Sequence, residues 1–289
     1  MNQELESILR YLRLWGLLAR WDKLLEEARC GDFSHERLLK HVLQAEYRTK
    51  HDNARELRRK RAHIPELLEM ETFPFNRQPK LNRKQTMSLY DSFDYMTKKR
   101  NMIWLGPTGC GKTGLATSFL LQAIDRGYRG YFVTFAELVA QLYAALADRS
   151  EAKVIRKYLK YDCLVIDEVG YVEVEPAQVG LFFTLMQKRH KTKPTLITSN
   201  LGFGEWGSFL KNNHLTAALI DRLTENSHVI NMKDCKTLRP KLDKGPKLDK
   251  DDETSKDNEA NKHRAANEEE DSEEGDVNRK NDQCRDSEA

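Results

Sequence analysis

Residues 104–113 read WLGPTGCGKT, an apolar run passing without a gap into the spacing Gly-x-x-x-x-Gly-Lys-Thr. Successive backbone N–H groups in a glycine-rich turn can converge on an anion, and a helix that starts there adds the positive end of its dipole. Gly106, Pro107, Thr108, Gly109, Cys110, Gly111, Lys112 and Thr113 therefore make a candidate cradle for a nucleoside triphosphate. The N–H groups of Gly109 to Lys112 would face the β-phosphate. The Lys112 ammonium would neutralise the β- and γ-phosphates, and the Thr113 hydroxyl would hold Mg²⁺.

Three further groups could act on a triphosphate placed there. In Cys163–Glu168 (CLVIDE) an apolar strand ends in two adjacent acids. Asp167 would complete the Mg²⁺ shell, and Glu168 would orient and polarise a water for attack on the γ-phosphate. A small-molecule kinase has no use for such a water. In Thr195–Asn200 (TLITSN) a strand ends in Asn200, which could position that water if the strand lies beside the one leading into the cradle. Arg222 sits near the end of an amphipathic helix, LTAALIDRL at 215–223. Taken by itself it suits a surface ion pair with Asp221 or Glu225. In an oligomeric ATPase it could reach a neighbour's γ-phosphate and stabilise transition-state charge. A GTPase reading fails, because guanine recognition needs Asn-Lys-x-Asp and the run 231–234 (NMKD) has its lysine one place out.

These groups need a scaffold, and the periodicity supplies one. Apolar residues from Leu5 to Ala28 recur with helical spacing, so 3–28 reads as one amphipathic segment. Asp32 or Ser34 can cap a second helix over about 35–62, and the prolines at 65, 74 and 79 mark 63–80 as a connector. Beyond it, helices are expected over 82–98, 112–126, 136–147, 150–160, 177–190 and 214–224. Short strands, apolar on both faces, alternate with them at 102–105, 130–135, 163–166, 194–199 and 228–232. That alternation predicts an α/β fold, a parallel sheet of about five strands covered by helices on both sides. The expected domains are a small all-helical unit at 1–75, a P-loop NTPase domain at 76–240 and a tail at 241–289. PKLDK occurs at 240–244 and again at 246–250, and the tail is charged, nearly free of large apolar residues and expected to be disordered.

Charge is unevenly distributed. Residues 241–289 hold 17 acids against 10 bases, whereas 1–240 hold 38 bases against 28 acids. A basic body permits nucleic-acid contact. No run of apolar residues is long enough for a membrane span. The N-terminus MNQELESILR carries acids where a secretory leader carries bases, and the five cysteines are scattered, which suits a cytoplasmic protein.

The order of the pieces resembles the IstB family of AAA+ ATPases, which assist bacterial insertion-sequence transposases and are related to the helicase loader DnaC. The resemblance rests on the Walker A run at 106–113, DEVGY at 167–171, ITSNLGFGEW at 197–206 and IDRL at 220–223, and it extends over about 5–239. It implies an AAA+ domain with sheet order 5-1-4-3-2, Arg222 as an arginine finger and assembly into a ring or helical filament. Arg239 falls at the family's second-sensor position, although the residues around it, Cys235-Lys236-Thr237-Leu238, depart from the family pattern. The resemblance also implies duplex DNA and a transposase as partners. On that reading the basic stretch Arg48, Lys50, Arg55, Arg58, Arg59, Lys60 and Arg61 contacts DNA phosphates rather than simply facing water. The related alternative is a helicase loader, and the alternative from another class is a metabolic P-loop kinase.

Overall fold

A computed structural model describes residues 1–239. The expectation of disorder for 241–289 lies outside the described residues. The first expected helix is two, α1 (Gln3–Tyr11) and α2 (Trp15–Cys30). The break falls at Arg13, whose φ is +54°, and the Leu14 N–H turns back to the Leu9 carbonyl. The apolar spacing runs through this break, so periodicity by itself could not reveal it. Leu14, at the cap position of α2, has no side chain to satisfy the first N–H groups. The long helix α3 (His35–Arg61) supplies the partner, since the buried Glu46 carboxylate accepts the Leu17 N–H at 2.9 Å. Leu9, Leu17, Leu24 and Ala45 form the core of this helical hairpin.

The far end of α3 reaches the remainder of the chain. Ala62 is fully buried and its carbonyl accepts the Phe132 N–H at 2.7 Å. The connector that follows is not a free linker. It forms two tight 3-10 turns, Met70–Thr72 and Phe75–Arg77, with Met70 and Gln78 buried. The expected helix at 82–98 is α4 (Arg83–Ser92) and α5 (Asp94–Thr97), parted at Phe93, whose φ is +57°.

From there strands and helices alternate as the sequence suggested: β1 (Asn101–Leu105), α6 (Lys112–Asp125), β2 (Gly130–Thr134), α7 (Phe135–Ala147), α8 (Glu151–Leu159), β3 (Cys163–Val169), α9 (Pro176–Arg189) and β4 (Thr195–Ser199). A short helix that the sequence did not disclose, α10 (Trp206–Leu210), precedes α11 (Asn213–Thr224) and β5 (Ser227–Asn231). All strand pairs are parallel, in the order β2-β3-β4-β1-β5. Alternate residues of each strand feed opposite cores. Ile103, Val133, Leu164, Ile166 and Ile197 pack with α7, α8, α9 and α11, while Met102, Trp104, Phe132, Val165 and Leu196 pack against α6 and the connector. The phrase GFGEW after β4 is structural: Glu205 accepts the Gly202 N–H at 2.8 Å, and Trp206 is fully buried against Phe203. No helix among the described residues is long and apolar enough to cross a membrane.

Gly16 lies where α2 meets α3. A Cβ there would approach Thr49 Oγ1 to 2.6 Å and Glu46 Oε2 to 2.9 Å. Gly16→Ala should therefore loosen the hairpin despite the better helix propensity of alanine, by roughly 1–2 kcal/mol net. Faster hydrogen exchange of the α2 amides, with β1 and β3 unchanged, is the expected result; unchanged exchange in α2 would show that the neighbours yield at no cost.

Candidate functional site

The glycine-rich run is the turn between β1 and α6, as its spacing implied. Two of its glycines occupy backbone states that side chains disfavour, Gly109 at φ +79° and Gly111 at φ +98°. At Gly111 a Cβ would also meet the Phe73 ring at 2.8 Å and Leu238 at 3.1 Å. Lys112 opens α6 and is largely buried, its ammonium donating to the Gly106 and Pro107 carbonyls at 2.7 and 2.8 Å. Burial is the main force holding its pKa below the ordinary lysine value.

The acids stand beside this turn because β3 carries a bulge. Ile166 pairs with Ile197 and Val169 with Ser199, so Asp167 and Glu168 together face the single residue Thr198. The extra residue throws Glu168 into the left-handed region at φ +61°, and its side chain is exposed while those of Asp167 and Val169 are buried. Thr198 holds the bulge closed. Its hydroxyl accepts the Glu168 N–H at 3.0 Å and donates to Asp167 Oδ1. The Asp167 carboxylate also accepts from the Thr113 hydroxyl, with both oxygens at 3.1 Å. Desolvation raises the Asp167 pKa, and the hydrogen bonds from Thr198 and Thr113 oppose that rise. A buried carboxylate beside a hydroxyl, facing an anion cradle, is a donor set suited to a hard cation such as Mg²⁺.

β4 lies next to β1, with Leu105 paired to Ser199, which brings Asn200 to the same end of the sheet. Asn200 Oδ1 is buried and has no hydrogen-bond partner, which leaves an acceptor that a water could fill. A cavity of about 190 Å³ is lined by Thr108, Gly109, Gly111, Lys112, Thr113, Glu168, Tyr171, Thr198, Leu238 and Arg239. The structure thus gathers Lys112, Thr113, Asp167, Glu168 and Arg239. Arg222 is not among the residues lining this cavity. It lies on α11 with its guanidinium over the Phe183 ring at 4.8 Å and donating to Ala218 O at 3.1 Å. Glu225, one of its suggested surface partners, pairs instead with Lys191.

Several residues here escaped the sequence reading. Thr198 lies inside an apolar strand, where a hydroxyl signals little. Tyr171, whose hydroxyl is 2.8 Å from Thr108 Oγ1, bridges the mouth of the cradle. Phe73 and Leu238 flank Gly111 from segments far apart in the chain. The basic stretch on α3 divides into two groups. Arg48, Lys50, Lys60 and Arg61 are exposed and Arg55 half-exposed, but Arg59 pairs with Asp125 through both carboxylate oxygens and Arg58 donates to Ile124 O at 3.2 Å.

The parallel sheet, the cradle and the acid pair define a P-loop nucleotide-binding fold. Comparison with known proteins sharpens this. The family described as IstB-like ATP binding protein matches residues 7–243, and the chain belongs to that family. It is 32% identical over 233 residues to the protein named as the ATP-binding protein of insertion sequence IS5376 from Geobacillus stearothermophilus, covering 81% of this chain and 92% of that one. Against the correspondingly named IS21 protein of Pseudomonas aeruginosa it is 32% identical over 230 residues, 80% and 86% of the two chains. Among solved structures, AMPPCP-bound DnaA from Aquifex aeolicus matches with a TM-score of 0.50 at 16% identity, over 59% of this chain and 51% of that one, a likeness of fold alone.

Thr198→Val keeps the shape and removes the hydroxyl, leaving the Glu168 N–H without its partner and the buried Asp167 carboxylate with Thr113 as its one remaining hydroxyl donor. The expected cost is about 1–3 kcal/mol of stability by denaturant unfolding, with Thr198→Ser close to the parent. Equal stability of Thr198→Val would show that the bulge holds itself.

Proposed function

We propose that this chain hydrolyses ATP, assembles as a ring or filament on duplex DNA and there assists the transposase of an insertion sequence. The observation that carries the hydrolytic part is the bulge, which sets an exposed Glu168 carboxylate at the rim of the phosphate cavity while burying Asp167 beside Thr113. Membership of the IstB-like family supports the setting in transposition.

In this reading the N–H groups of Gly109 to Lys112 bind the β-phosphate and Lys112 leaves its two carbonyls for the β- and γ-phosphate oxygens. Thr113 and Asp167 hold Mg²⁺, which, when bound, neutralises charge on the phosphates. Glu168 accepts a proton from the attacking water, and the Asn200 side chain orients that water. Arg239, at the cavity wall, adds positive charge near the phosphates. Arg222 completes the site of the adjacent subunit, which accords with its absence from the cavity of its own chain.

The helical part, residues 1–75, is proposed to bind DNA and the partner protein. Arg48 and Arg61 are exposed for phosphates along one helix, Lys50, Arg55 and Lys60 would exchange their pairs with Glu46, Asp52 and Glu56 for them, and Arg58 and Arg59 anchor that helix to α6. Few aromatic residues interleave these bases, which favours contact with a duplex backbone over base stacking.

Replacing Arg48, Lys50, Lys60 and Arg61 by Ala should weaken binding to all duplexes alike and flatten the dependence of log affinity on log salt by roughly 0.9 for each phosphate no longer neutralised. Fluorescence anisotropy across a salt series measures both; an unchanged slope returns these side chains to the solvated surface.

Arg222→Ala should bind ATP normally yet hydrolyse it about 10³-fold more slowly, the scale of an arginine finger. Glu168→Gln should also be inactive, for want of the base. Mixing the two inactive variants creates junctions in which an intact Glu168 faces an intact Arg222. Activity should return at concentrations that support assembly; a mixture as inactive as its components would sink the shared site.

A further inference from the structure

The loop that would cradle the phosphates is held from behind by a residue outside it. Cys110 O accepts a hydrogen bond from Gln78 Nε2 at 2.9 Å. The same nitrogen donates to Lys236 O at 2.6 Å, and Gln78 Oε1 accepts the Lys236 N–H at 3.0 Å. Two carbonyls on the nitrogen and one N–H on the oxygen leave a single orientation for this amide. Gln78 is only 1% exposed, and it is not among the residues that line the phosphate cavity. Two further bonds draw the same segments together: Leu238 N–H to Gly109 O at 2.8 Å and Arg77 to Leu238 O at 3.1 Å.

A trans peptide unit is planar, and its C=O and N–H point in opposite directions. The unit joining Cys110 to Gly111 has its carbonyl drawn toward buried Gln78. Its N–H, that of Gly111, is thereby turned the other way, toward the cavity that Gly111 lines. The flanking glycines make this hold necessary. Gly109 and Gly111 sit at φ +79° and +98°, where glycine is free to rotate, so the loop sequence does not by itself keep that peptide in one orientation.

We propose that Gln78 is the positioning residue of the phosphate cradle: by binding the Cys110 carbonyl it orients the Gly111 N–H for the β-phosphate, and it ties that orientation to the docked segment 235–239. The role rests on the reading of 106–113 as a nucleotide site and is independent of DNA, transposase and hydrolysis.

The test compares ADP with AMP on the full chain, because AMP has no β-phosphate to occupy the cradle. Gln78→Met fills the same volume without hydrogen bonds. Gln78→Glu keeps the size and the bond from the Lys236 N–H while setting a carboxylate oxygen against two carbonyls, and it serves where the first variant folds poorly. Dissociation constants for both nucleotides and the unfolding midpoint without nucleotide are measured for each. The parent should prefer ADP. In both variants that preference should fall about tenfold or more, the scale of one lost hydrogen bond to a charged group, through weaker ADP binding with AMP affinity within about twofold of the parent. A lowered midpoint with an unchanged ADP-to-AMP ratio would overturn the proposal and leave Gln78 a purely structural residue. A parent chain with no preference for ADP would instead remove the cradle reading on which the role stands.

Discussion

A single hydroxyl in the middle of the sheet governs how the acids are presented. Thr198 sits opposite two residues of β3, accepts the backbone N–H of one and donates to the carboxylate of the other. A regular strand would point successive side chains to opposite faces, sending Asp167 and Glu168 apart. The bulge changes that, keeping Asp167 buried near Thr113 and turning Glu168 outward at the same rim. Two adjacent carboxylates can then hold different roles, because one is desolvated and hydrogen-bonded while the other faces water.

The cradle depends on support of a similar kind. Its glycines permit the turn but do not enforce it, and the enforcement comes from both ends of the domain. The connector contributes Phe73 and Gln78, and the segment after β5 contributes Lys236, Leu238 and Arg239. Buried carbonyls must find donors, and at Cys110 the donor lies 32 residues upstream. The Lys112 ammonium, bonded to two carbonyls of its own loop, is a donor with capacity to turn toward a bound phosphate, and the unpartnered Asn200 oxygen is an acceptor with capacity for a water.

The helix α3 links the two regions through charge used in two ways. Near its end, Arg59 and Arg58 are consumed by the C-terminal turn of α6, where Asp125 and the Ile124 carbonyl await cations. Their neighbours Lys60 and Arg61 remain exposed. Glu46, midway along the same helix, caps α2. One helix thereby caps α2 from its middle and grips α6 from its C-terminal end.

The sequence by itself determined the cradle, the acid pair, the alternation that makes a parallel sheet, and most element bounds, because each depends on spacing within a few residues. β3 ran three residues beyond its apolar core since its last residues are paired through the bulge, and α10 was hidden in a run too short for periodicity to register. The resemblance to IstB proteins carried the strand order, which composition does not encode. What only the tertiary structure decided were the bonds between distant segments: Thr198 to the acids, Gln78 to the cradle and the 235–239 segment, and the division of the α3 arginines between anchoring and exposure. Lys60 and Arg59 look alike in the sequence; the Asp125 carboxylate, 66 residues downstream of Arg59, separates them. Local spacing reports which way a side chain faces along its own element, whereas the partner that satisfies it is chosen by the packing of elements far apart in the chain.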